Sequence, residues 1–129
     1  MVIKMNKKLP FLLTILLLIS CAGTALQKKL ITDVYVADFG SEDINSCRPS
    51  DVDLSHHEAK EFFLRARQVD YKVIHDNYNY APCYIEGTMK YKSSICEWEI
   101  RAGATGHIKC GDDIRYFVCD TCEDLFQSK

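Results

Sequence analysis

Seven cysteines set the chemical options of this 129-residue chain: Cys21, Cys47, Cys83, Cys96, Cys110, Cys119 and Cys122. Cys119-Asp120-Thr121-Cys122 has the CxxC spacing of dithiol redox sites and stands between a predicted strand and a short run, residues 123–126, that could turn helical. Such a placement can lower a thiol pKa. The βαβ context of thioredoxin-like sites is missing, however, and Asp120, Glu123 and Asp124 disfavour a thiolate, so redox catalysis by Cys119 and Cys122 stands as an alternative. His107-x2-Cys110 followed by Cys119-x2-Cys122 has knuckle-like spacing for a tetrahedral zinc site, which makes His107, Cys110, Cys119 and Cys122 a second alternative. The reading we favour is disulfide formation, with no cofactor or metal expected.

That preference follows from the N-terminus. Lys4, Lys7 and Lys8 precede an apolar run over residues 11–19, then Leu18-Ile19-Ser20-Cys21-Ala22-Gly23, which is signal-peptide anatomy. The apolar run is about half of the roughly 20 residues that span a bilayer, too short for a permanent transmembrane helix. Leu18-Ile19-Ser20-Cys21 resembles the bacterial lipobox, which implies cleavage before Cys21 and acylation of its thiol and new amino group. Several acyl chains make such anchoring stable where one would not. Residues 1–20 are therefore expected to be a leader, 21–29 a lipidated cysteine and short tether, and 30–129 a single domain in the periplasm. Ala22 and Gly23, in place of an aspartate after the cysteine, favour the outer membrane.

An oxidising compartment and six cysteines besides Cys21 suggest three disulfides. Spacing alone allows about 15 pairings, but cross-strand partners must share a face of the sheet. Residues 83–91 alternate, with Cys83, Ile85, Gly87, Met89 and Tyr91 on one side and Tyr84, Glu86, Thr88 and Lys90 on the other. Cys96, Trp98 and Ile100 likewise oppose Glu97, Glu99 and Arg101. Turns at 92–94, 103–106 and 111–113 make residues 83–119 a four-stranded antiparallel meander. If the second turn centres on 102–104, Cys96 falls opposite Cys110. The favoured map is then Cys96 with Cys110, Cys119 with Cys122 and Cys47 with Cys83.

Upstream, residues 30–39 are rich in β-branched and aromatic side chains and read as a first strand, followed by a loop to about residue 54. Ser55-His56-His57-Glu58 is a capping-box pattern that opens a helix, with Ala59, Phe62, Phe63, Ala66 and Val69 on its apolar side. Residues 71–75 read as a short strand or extended turn. The expected fold class is α+β: one amphipathic helix packed on a four- to five-stranded antiparallel meander sheet, stabilised by disulfides.

Other groups carry weaker signals. His75, Tyr78, Tyr80 and Tyr84 form a polar aromatic cluster suited to recognition of a partner, since tyrosine is enriched at interface hot spots. Glu97, Glu99 and Arg101, with Glu86, Thr88 and Lys90, read as cross-strand charge pairing on a solvated face. His56 and His57 sit at a helix start, facing solvent on different sides. Asp112, Asp113 and His107 match no hydrolytic pattern of known mechanics. The chain holds 16 basic and 18 acidic residues, and without the leader's three lysines 13 against 18, a net charge of −5. That balance argues against nucleic acid as a partner.

Ala81-Pro82-Cys83-Tyr84, Trp98-Glu99-Ile100-Arg101-Ala102-Gly103 and Cys119-Asp120-Thr121-Cys122 together resemble a group of small uncharacterised proteobacterial exported proteins and lipoproteins, over residues 54–126. The resemblance implies the compartment and brings no activity with it. The expectation is a lipid-anchored binding module of the bacterial envelope, non-enzymatic, of inhibitor or immunity type, whose partners are the membrane through its lipid and an envelope or secreted effector protein.

Overall fold

A computed structural model describes residues 25–78 and 81–127. Cys21 with its leader, and Tyr80, lie outside the described residues.

Strict alternation builds the centre of the sheet. β3 (Cys83–Tyr91) and β4 (Ser94–Arg101) join through Lys92 and Ser93, whose φ values of 51° and 67° suit a two-residue hairpin whose twist matches its strands. β5 (Thr105–Cys110) and β6 (Asp113–Val118) continue the meander, the last turn passing through Gly111 at φ 62°. β1 (Ile31–Ser41) pairs with β3 and β2 (Arg67–Val69) with β6, giving a six-stranded antiparallel sheet in the order β1-β3-β4-β5-β6-β2. The α+β, disulfide-stapled class stands, with six strands rather than four or five.

The three disulfides are Cys47–Cys83, Cys96–Cys110 and Cys119–Cys122. Cys96–Cys110 continues the β4–β5 ladder beyond Glu97 and Lys109, the turn falling at 102–104 as its glycine and alanines imply. Cys47–Cys83 ties the loop after β1 to the start of β3, where Val52 and Leu54 are also buried. Cys47–Cys83 and Cys96–Cys110 each contribute about 2–4 kcal/mol on the chain-entropy account, and the short Cys119–Cys122 loop less.

α1 (His56–Arg65) begins with the expected capping box: Glu58 N donates to Ser55 Oγ at 3.1 Å and Ser55 N to Glu58 Oε1 at 3.0 Å. Its Phe62 and Phe63 are fully buried against one face of the sheet. Phe63 meets Trp98, Phe117 and Phe62 edge-on, with centroids 5.8, 5.7 and 5.2 Å away. Gly87 lies where β1 crosses closest, and a Cβ there would sit 1.8 Å from the Tyr35 carbonyl oxygen.

The segment after α1 departs from the sequence reading. The helix stops at Arg65, and Arg67–Val69 turns extended as β2 because it satisfies the open edge of β6. Residues Tyr71–Asn77 are a second helix, α2, and not a strand. Tyr71, Ile74, His75 and Tyr78 recur at i, i+3, i+4 and i+7, a helical stripe that the β-branched Val73-Ile74 pair obscures. At the other end Leu26 is buried, and Lys28 Nζ donates to the carbonyls of Leu64 and Ala66 at the C-terminus of α1. The described part of the expected tether is thus docked on the domain.

Phe63→Ala should lower stability by about 3–5 kcal/mol, read by urea unfolding with the disulfides intact. A loss below about 1 kcal/mol would mean that α1 does not pack as described.

Candidate functional site

The second face of the sheet is only partly covered. α2 leans over β5 and β6 at one edge, with Tyr71 set against Tyr116 at 5.2 Å, and a groove of about 610 Å³ opens between helix and sheet. Tyr71, Ile74, His75 and Tyr78 line its helical side; Glu99, Arg101, His107 and Tyr116 line the sheet. The β4–β5 register puts Glu99 opposite His107, and β5–β6 puts His107 opposite Tyr116, so these side chains share the outward face.

Arg101 organises the floor. Its Nε donates to Glu99 Oε2 at 3.1 Å, Nη1 to the Ala81 carbonyl at 2.9 Å and Nη2 to Glu42 Oε1 at 3.0 Å, while the guanidinium lies 4.9 Å from the Tyr84 ring centre. Glu99 and Arg101 are therefore 17 % and 18 % exposed instead of fully solvated, which corrects the reading of them as an open charged face. The cause lies far away in sequence: Glu42, Ala81 and Tyr84 fold over them. His107 Nδ1 stands 3.7 Å from Glu99 Oε2. Burial pushes the His107 imidazole below its ordinary value, with Glu99 pulling the other way, and leaves it uncharged at neutral pH.

The end of α2 is fixed by a second cluster. Tyr78 Oη donates to Asp120 Oδ1 at 2.7 Å, and Arg67 donates from Nε to Asp120 Oδ2 at 2.9 Å and from Nη2 to Tyr78 Oη at 3.0 Å. The hydrogen bond to Asp120 raises the Tyr78 phenol, and the same bond with that of Arg67 lowers the Asp120 carboxyl. Arg65 grips Asp124 with its two terminal nitrogens, at 2.7 and 3.2 Å, and the Thr121 carbonyl at 3.2 Å. Two arginines thus clamp the Cys119–Cys122 loop and, through Tyr78, the helix above the groove.

Of the expected recognition cluster, His75 and Tyr78 reach the groove, Tyr84 stacks beside it on Arg101, and Tyr80 is outside the described residues. Sequence reasoning missed Tyr71, Glu99, Arg101, His107 and Tyr116 as one site. The Cys96–Cys110 register already placed Glu99 against His107 and was the available signal. His56 is not simply turned to solvent: its Nδ1 accepts from Val36 N at 2.8 Å and its ring stacks on Tyr35.

The sulfur chemistry is constrained. Cys119 and Cys122 are joined, and 4 % and 1 % exposed, whereas exchange needs a thiolate to reach a disulfide sulfur. The four residues of the HCCC pattern are not brought together: Cys110 bonds Cys96 on the inner face, Cys119 bonds Cys122, and His107 turns outward. The ligand-bearing group that does converge among the described residues, Cys47, Asp51 and Cys83, contains a disulfide, and the Asp51 carboxylate accepts from Arg48 N at 2.7 Å. Asp113 pairs with Arg115, and Asp112 is an exposed turn residue. No protein-family model, curated protein or solved structure matches the chain.

By proton NMR, His107 should titrate below the ordinary imidazole value, and Glu99→Gln should lower it further by removing the carboxylate that opposes desolvation. A rise in Glu99→Gln would contradict this geometry. Since the unfolded imidazole takes the proton first as pH falls, stability declines from the ordinary imidazole value down to the lowered one and then levels. His107→Gln should flatten that decline in urea unfolding curves.

Proposed function

We propose that this chain is an exported protein of the bacterial envelope, held by acyl chains on Cys21 with its domain in the periplasm, which acts by binding a protein partner and not by catalysis. The observation that carries the reading is the groove under α2. It is concave, walled by tyrosines and set with a few convergent polar groups, the usual make-up of a recognition site. Its helix is held by the Tyr78–Asp120–Arg67 cluster and its floor by Arg101, so it is pre-formed. Preorganisation reduces the ordering cost of association.

Export supports the same reading. The basic, apolar and Leu-Ile-Ser-Cys segments of the first 21 residues, the three disulfides and the resemblance to small exported proteobacterial lipoproteins all suit an oxidising envelope compartment. Among the described residues no helix is long and apolar enough to cross a membrane, so attachment in this account rests on Cys21. Inhibition of, or immunity to, a secreted effector is the form of binding that a small rigid domain at this location suits, with the outer membrane as its place.

Cys21→Ala should abolish metabolic labelling by palmitate and move the protein from the membrane to a soluble exported fraction. In the native strain, cross-linking of the tagged wild type should return the same partner repeatedly, and Tyr71→Ala should reduce its recovery. Unchanged membrane fractionation would refute the anchor; repeated failure to recover a partner would refute the binding reading.

A further inference from the structure

The groove floor holds two polar atoms, one on Glu99 and one on His107, with no partner among the described residues. Glu99 meets both Arg101 and His107 through Oε2, and its Oε1 has no hydrogen-bond partner among the described residues. His107 has no polar contact among them beyond that approach through Nδ1, leaving Nε2 open. The walls are the rings of Tyr71 and Tyr116 and the aliphatic Ile74. Apolar walls leading to a carboxylate oxygen and an uncharged imidazole complement an aliphatic stem that ends in a cationic nitrogen.

The charges around this floor agree. Arg101 is held between two carboxylates, Glu99 and Glu42, so the three together are net negative. Glu86 on β3 adds a further negative charge to the field at His107, and Lys109 on its own strand the opposing positive one. Tyr116 from β6 and the α2 side chains Tyr71 and His75 complete its surroundings. Beyond the groove, the outward face exposes Ile114 (43 %) and Ile95 (73 %). A free small molecule would leave these uncovered, whereas a protein surface would bury them.

We propose that the groove receives the guanidinium or ammonium group of a basic side chain on a protein partner, with Glu99 as its counter-ion, His107 as an acceptor, and Tyr71 and Tyr116 along its stem. The inference rests on the binding reading above and adds the chemistry that the partner must present.

The test is an NMR titration of the whole domain with N-acetyl-arginine amide and N-acetyl-lysine amide. The matched neutral compound, N-acetyl-citrulline amide, and free spermidine run alongside. The cationic amides should shift the Gly106, His107 and Tyr116 resonances at millimolar concentration, and citrulline should not. Glu99→Gln should weaken binding by about tenfold or more. Tyr71→Ala, at an exposed position where folding is not at stake, should weaken it too. Citrulline binding as well as arginine would overturn the proposal, as would spermidine saturating the groove where the amino-acid amides do not. Should Glu99→Gln fail to fold, the arginine and citrulline comparison on the native chain decides alone. A captured partner that binds Glu99→Gln undiminished would sink this inference and leave the binding reading standing. Arginine-specific shifts with no partner recovered from the envelope would leave the groove as a cation site and refute the protein partner.

Discussion

The register of β4 against β5 is the constraint from which the rest of the domain follows. Cys96 bonded to Cys110 sets it, and because side chains alternate, Trp98 and Ile108 then face inward while Glu99 and His107 face outward. A slip of one residue would exchange the faces, burying a carboxylate and an imidazole beneath α1 and exposing the only tryptophan. The inward set makes the core; the outward set makes the groove floor. One covalent bond therefore fixes both the stability and the site.

The two faces differ because their helices differ. α1 has ten residues and presents Phe63 to Trp98 and Phe117, with Phe62 packed on Phe63 and Phe126, enough to seal its side. α2 has seven residues, none of them fully buried, and covers only part of the face over β5 and β6. It is anchored less by burial than by Tyr78, Asp120 and Arg67, polar groups whose individual contributions on a surface are small. What α2 leaves open is the groove, and what fixes α2 is the loop that the Cys119–Cys122 bridge closes. In this account the CxxC motif serves to position the site.

Much of the fold was legible because the signals are local. The meander came from period-two alternation, the start of α1 from Ser55 and Glu58, and the disulfides from strand faces. The failures are also physical. α2 was hidden because Val73 and Ile74 favour strands while the stripe of Tyr71, Ile74, His75 and Tyr78 is mostly polar-tipped. β2 exists only because β6 offers an unpaired edge, a tertiary fact. The burial of Glu99 and Arg101 depends on Glu42 and Ala81, 59 and 20 residues away from Arg101 in the chain, so an alternating strand pattern reads them as solvated.

A peptide map of the native protein without reduction, read by mass spectrometry, tests the central claim that covalent register holds core and groove together. The Cys96 peptide should be linked to that of Cys110 and the Cys47 peptide to that of Cys83, with Cys119 closed on Cys122 within one peptide. Free thiols at Cys96 and Cys110, or either of them bonded to another cysteine, would contradict it, since Glu99 and His107 would then have no fixed reason to share a face.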